Sequence, residues 1–122
     1  MPSLYRVQII GNLGKDPELR YTPKGTPITR FSVAVNRWWT SADGERHQAT
    51  EWFPVEAWGK LGEFGQRYLR KGRLVYVEGE LRTDRWEDEK GEPRALTKVR
   101  ATGIQLLDRK PEEPEGAEGD AE

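Results

Sequence analysis

Trp38, Trp39, Trp52, Trp58 and Trp86 are the residues whose type and placement point most directly to chemistry. Five indoles are too many for the core of a 122-residue chain, because each buries a large area and its N–H needs a partner. Their surroundings are polar: Trp38-Trp39 follows Arg37, Trp58 precedes Gly59-Lys60, and Trp86 stands in Arg85-Trp86-Glu87-Asp88. Trp52 and Trp58 share strand parity with Glu56, which reads as a solvated face. Further cations cluster at Arg70, Lys71 and Arg73. Flat aromatic faces beside cations suit a ligand with open π-faces and regularly spaced anions. Unpaired bases stack on aromatics for ~1–3 kcal/mol each, and phosphates draw Lys and Arg with a salt-sensitive release of counterions. A duplex hides its base faces, so indoles would be wasted on it. Stacking ignores base identity, so the pattern implies little sequence preference. The bland alternative is a scatter of rim aromatics or a protein–protein interface.

Other chemistry is poorly supplied. Zero Cys excludes disulfides, thiolate metal sites and a Cys nucleophile, and a single His makes imidazole ligation or acid–base work a poor prospect. Gly11-Asn12-Leu13-Gly14-Lys15 lacks the Gly-Lys-Ser/Thr ending of a phosphate loop, and no helical pattern follows it. Glu87-Asp88-Glu89 reads as a solvated hairpin tip, and Glu78 with Glu80 as charge on an exposed strand. His47 beside Arg46 has no evident partner, and the stripe Leu61, Phe64, Tyr68 reads as core contact. No catalytic constellation is present. The expectation is a binding protein, not an enzyme, with neither metal nor cofactor.

Positioning the indoles requires strands. Period-2 patterning marks Leu4–Gly11, Ile28–Asn36, Thr50–Trp58, Arg73–Arg82 and Ala95–Leu107. On the fourth strand Val75, Val77 and Leu81 point inward. Asp16-Pro17, Thr22-Pro23-Lys24-Gly25, Asp43-Gly44 and Glu89-Lys90-Gly91-Glu92 are turn chemistry. Lys60–Lys71 changes to the i, i+3, i+4 period of an amphipathic helix, with Arg70 and Lys71 in its last turn and Gly72 just beyond it. Five strands with one helix between the third and fourth is the order of an OB-fold, an all-β five-stranded Greek-key barrel.

Charge divides the chain. Residues 1–107 carry a net +4 and all 12 aromatics, whereas residues 108–122 carry a net −5 and none. The reading is a mildly basic OB-fold domain over 1–107 and a disordered acidic tail over 108–122, too poor in apolar residues to offset its ordering entropy. No apolar run is long enough to span a membrane, and the N-terminus lacks the build of a signal peptide, so a cytoplasmic, nucleoid-associated protein is expected.

Specific motifs then make the chain familiar. Gly11-Asn12-Leu13-Gly14-Lys15-Asp16-Pro17-Glu18-Leu19-Arg20-Tyr21-Thr22-Pro23 closely resembles the first segment of bacterial-type single-stranded DNA-binding proteins. Thr50-Glu51-Trp52 and Ala57-Trp58-Gly59-Lys60-Leu61 resemble that family's third strand and helix start. Tyr68-Leu69-Arg70-Lys71-Gly72 and Val75-Tyr76-Val77-Glu78-Gly79-Glu80-Leu81-Arg82-Thr83 resemble its helix end and fourth strand. The likeness spans about residues 4–107. It implies an OB-fold that assembles, usually as a homotetramer, and coats single-stranded DNA in replication, recombination and repair. Stacking aromatics implied by the resemblance are Trp39, Trp52, Trp58 (often Phe in relatives) and Trp86. Implied basic contacts are Lys60, Arg70, Lys71 and Arg85. Arg37 and Arg73 join them on the residue pattern, and Tyr68 and Tyr76 are further carry-overs.

Three departures stand out. Phe53-Pro54 replaces a common His-Arg, so a local bulge or unpaired edge is expected, with a lost positive charge and an altered subunit interface. Asp84 stands where a basic residue is common. The family's acidic tip closes with Ile-Pro-Phe and docks partners, but this chain closes with Gly-Ala-Glu-Gly-Asp-Ala-Glu, so tail-mediated docking of replication or repair proteins by that route is not expected. The acidic tail retains the charge to compete with DNA for the basic surface. Two other functions fit the residues alone: an OB-fold binder of single-stranded RNA, and a replication-accessory module for protein interaction.

Overall fold

The structure is a computed structural model that describes residues 3–108. The tail reading for residues 109–122 lies outside the described residues. Six strands and one helix follow the chain as β1 (Val7–Leu13), β2 (Glu18–Tyr21), β3 (Pro27–Thr40), β4 (Arg46–Trp58), α1 (Lys60–Tyr68), β5 (Leu74–Glu87) and β6 (Pro93–Leu106). The sheet runs β1-β5-β6-β4-β3, and β1 pairs back onto β3 at Asn12↔Ala34 and Leu13↔Val33, which closes a five-stranded barrel. That is the OB-fold order, with the helix on the connection between β4 and β5.

Alternating apolar residues explain the closure. Ile9, Leu13, Phe31, Val33, Val55, Ala57, Val75, Val77, Val99 and Ala101 form one buried cluster, contributed by every barrel strand. β-branched side chains dominate it, as a pleated, half-buried surface favours. Helix α1 lies against β3 and β4 through Gly62 and Gly65, and Leu69 just past its end is fully buried.

Three hairpins share one turn design. In Thr22–Thr26, Ser41–Glu45 and Asp88–Glu92 the fourth residue is a glycine at positive φ, and its N–H donates to the carbonyl of the first. A glycine is favoured there because a side chain strains that left-handed backbone. The last two turns cap hairpins far longer than the barrel is deep. β3 and β4 stay paired out to Thr40↔Arg46, and β5 and β6 out to Glu87↔Pro93. Two twisted arms therefore project from the barrel, and these arms position most of the indoles.

The structure corrects several expectations. Strand β2 is additional to the five read from the pattern: Glu18–Tyr21 is too short to show a period, and its pairing with β3 comes from tertiary contact. The helix ends at Tyr68, not Lys71, because Leu69 turns to extended backbone (φ −85°, ψ 137°) to bury its side chain. Gly72, at φ 88°, instead belongs to the turn closed by Arg73 N–H donating to Arg70 C=O. Leu81 keeps the inward parity, opposite buried Val99, but is exposed, because β5 has run past β1, whose pairing ends at Gly79. Pro54 causes no bulge, since the β3–β4 register is unbroken; β4 pairs with β6 only at Val55 and Glu56, so Pro54 lies beside an edge without a strand partner.

Asp108, assigned above to the tail, is tied to the barrel. Its carboxylate accepts from Arg73 Nε at 2.9 Å and from Leu74 N–H at 3.0 Å. Arg73 is buried by this arrangement. Asp108→Ala should cost about 1–3 kcal/mol in denaturant unfolding, the range for stranding a buried donor.

Candidate nucleic-acid interface

Directly opposed residues of an antiparallel pair share a face. The β3–β4 register places Trp38, Trp52 and Trp58 on one face, at the alternating pairs Trp38↔Gln48, Ala34↔Trp52 and Ile28↔Trp58. The parallel pair Glu56↔Arg100 carries that face across to β6, and Leu96↔Asp84 and Arg94↔Trp86 carry it on to β5. Four indoles therefore lie on the outward face of a continuous sheet, together with Arg30, Arg46, Lys98 and Arg100. All five indoles are between 36% and 57% exposed.

Two of these cations are seated on the rings. The Arg46 guanidinium lies 5.1 Å from the Trp38 ring centroid, and that of Arg100 lies 4.3 Å from the Trp58 centroid. Such contacts contribute about 0.5–1 kcal/mol each at exposed sites and hold ring and charge together. Trp52 lies over Gly14: a Cβ there would stand 2.4 Å from the ring, so the absent side chain makes room for the indole. Trp86 and Leu96 line an open groove of about 390 Å³ whose other walls include Lys15, Arg30, Asp84 and Lys98.

The structure separates the remaining candidates. Trp39 and Arg37 sit on the reverse face of the β3–β4 arm, with the guanidinium 5.3 Å from the ring. His47 is not isolated: it stacks on Trp39 at 5.3 Å, and its Nε2 is 3.1 Å from Ser41 Oγ. Arg85 likewise faces away from Trp86. Lys60, Arg70 and Lys71 are exposed around α1, where Arg70 donates to the carbonyls of Gln66 and Leu69. Tyr68 is half-buried against Phe64, 5.0 Å between ring centroids. Tyr76 lies on the outer face of β5, accepting from Gln8 and donating to Glu78. Arg73 is removed from the surface cations, because its guanidinium is buried and committed to Asp108. Arg30, Arg46, Lys98, Arg100 and Gly14 were missed by sequence reasoning, and Trp38, though counted among the indoles, was left out of the stacking set. Only the Trp38-Trp39 doublet gave a local signal, and it did not say which ring faces Trp52.

Glu56 also overturns an expectation: its face is outward, yet its carboxylate is buried. Lys98 Nζ donates to it at 2.7 Å, Arg30 Nε at 3.0 Å and Trp58 Nε1 at 3.1 Å. Burial alone would push its pKa up, but the bonds from Lys98 and Trp58 and the charges of Lys98 and Arg30 outweigh it and hold the carboxyl below its ordinary 4.5. Asp84 is lowered too, by Lys98 at 2.6 Å. Because the folded pKa lies below the unfolded one, the stability from Glu56 is fully present above pH 4.5 and is lost as pH falls through the folded value. Thermal unfolding between pH 6 and 3 should show that loss, and Glu56→Gln should flatten it.

A closed barrel carrying exposed indoles and seated cations on its outer face and projecting arms defines an OB-fold of the oligonucleotide-binding type. The sequence profile of the single-strand binding protein family matches residues 4–107. A single-stranded DNA-binding protein of Thermotoga maritima is 45% identical over 108 residues, covering 88% of this chain and 77% of the relative. Single-stranded DNA-binding protein 1 of Xylella fastidiosa is 42% identical over 111 residues, covering 90% and 82%. Among solved structures, a Plasmodium falciparum SSB complex with ssDNA superposes with a TM-score of 0.83 at 28% identity, covering 88% of this chain and 98% of that one. The chain belongs to the single-strand binding protein family.

Proposed function

We propose that this protein binds and protects single-stranded DNA, largely without sequence preference, in replication, recombination and repair, and that it is not an enzyme. The observation that carries the reading is the gathering of Trp38, Trp52, Trp58 and Trp86 on one outward face beside Arg30, Arg46 and Arg100, with Lys98 nearly buried and held by Glu56 and Asp84. Bases stack on the rings while phosphates meet the cations, and the two arms extend the contact beyond the barrel. Trp39, Arg37 and Arg85 add a second layer on the reverse faces of the arms, and Lys60, Arg70 and Lys71 continue the basic track around α1. The names of the relatives and of the DNA-bound neighbour support DNA as the ligand.

The protein acts in this reading as a homo-oligomer, with four subunits by family likeness. Among the described residues the outer edge of β1 over 7–11 has no strand partner, which leaves backbone donors and acceptors for another copy. Several linked sites turn later contacts into intramolecular ones and raise avidity. The domain is 1–107 extended by Asp108, with the acidic segment following it.

Titration with dT oligomers of graded length, followed by tryptophan fluorescence and paired with a mass measurement, tests the reading. Emission should fall on binding. With ~6 phosphates neutralised per site, log affinity should fall against log salt with a slope near −4. Unchanged emission at low salt would remove stacking as the mechanism. Matched RNA oligomers decide the sugar preference, since stacking does not sense a 2′-OH. A protein-interaction module would show no shift in sedimentation with dT.

A further inference from the structure

Glu56 is the one buried carboxylate on the outer face among the described residues, and the reading of that face as a DNA interface does not use it directly. Its two oxygens are divided. Oε2 accepts from Arg30 Nε at 3.0 Å and Lys98 Nζ at 2.7 Å. Oε1 accepts from Trp58 Nε1 at 3.1 Å and lies 4.0 Å from Arg100 Nε. The Arg100 guanidinium in turn lies 4.3 Å from the Trp58 centroid, and its Nε is buried without a hydrogen-bond partner. Charge balance for Lys98 does not require Glu56, because Asp84 already binds that ammonium at 2.6 Å. What Glu56 alone supplies is a fixed acceptor for the indole N–H and a counter-charge beneath Arg100.

An indole on a strand edge has several rotamers, and ordering it on binding weakens affinity. A ring with one edge tied to a buried carboxylate and a cation near one face has already lost that freedom. We propose that Glu56 is a positioning residue of the interface. It fixes the Trp58 ring, and the Arg100 guanidinium against it, so that the ring is preset to receive a base. The proposal rests on the single-strand reading of this face. It adds that the platform is rigid before ligand arrives and names the group that makes it so.

A double-substitution cycle tests it, with Glu56→Gln and Trp58→Phe. Phenylalanine stacks but has no N–H, so the link to Glu56 is cut. Glu56→Gln keeps an oxygen that accepts from the indole but removes its charge. It should weaken dT binding roughly tenfold in the parent, the difference between a charge-assisted and a neutral hydrogen bond, and only about twofold in Trp58→Phe, because the shared contact is already absent. Equal losses in both backgrounds overturn the proposal. In the free protein, Glu56→Gln should shift and broaden the Trp58 indole N–H resonance and leave the other four unchanged. An unmoved Trp58 resonance also overturns it, whether or not DNA binds. Absence of dT binding by the parent protein instead defeats the single-strand reading. Should Glu56→Gln fail to fold, Glu56→Asp keeps the charge and withdraws the acceptor by one methylene, and the same coupling and resonance shift are expected.

Discussion

Replacing Trp52 and Trp86 together by Ala should lower affinity for dT oligomers by about 2–6 kcal/mol, or roughly 30-fold to 10⁴-fold. Each ring stands on a different hairpin, Trp52 on β4 and Trp86 on the outer part of β5. Each is about half exposed, so its removal leaves the core untouched. The two losses should add, because the rings serve different bases of a bound strand. The salt slope should change little, since no cation is removed, and that distinguishes lost stacking from lost phosphate contact. Fluorescence titration through the three remaining indoles, with thermal unfolding as a folding control, measures it. A neutral double variant would take both rings out of the platform.

Gly79→Ala should destabilise the fold by about 3 kcal/mol or more, at the upper end of overpacking costs. Gly79 sits at the irregularity in the β5–β6 ladder, where Glu78 opposes Gly103 and Gly79 opposes Ala101. A Cβ built there would lie 2.1 Å from the Arg100 carbonyl oxygen and 2.9 Å from the Ala101 Cα. Both are backbone atoms, so no side chain can swing aside. The strands would have to part at this break in the ladder, and Val77 and Val99 would lose their packing. For a domain of this size the fall in Tm should be roughly 10–20 °C. A midpoint within a degree or two of the parent would show that the corner relaxes without cost.

The two substitutions sample different kinds of information. Trp52 announces itself in the sequence, because an aromatic that shares parity with charged neighbours has little chance of being core. Gly79 does not, since Val-Glu-Gly-Glu-Leu reads as an ordinary strand with one weak position. The same contrast holds between Val33, whose burial follows from alternation with Ser32 and Ala34, and Arg73, whose burial follows from Asp108, 35 residues away. Trp38 and Trp39 illustrate the limit best. Their composition signalled stacking, but adjacent residues of a strand point to opposite faces. Which one joins Trp52 depends on the β3–β4 register and not on either residue type.

Local patterning thus established the five barrel strands, the helix between them, the turn sites at Gly25, Gly44 and Gly91, and the exposure of the indoles, because alternation, period and turn chemistry are properties of consecutive residues. Folding added the short strand β2, the early end of the helix at Leu69 and the capture of Asp108. It also selected Trp38 for the Trp52 face, and it buried Glu56 among Arg30, Lys98 and Trp58. Those outcomes arise where strands distant in sequence meet, above all at the single short parallel contact between β4 and β6. A barrel's closure fixes such contacts jointly, so no stretch of chain encodes them alone.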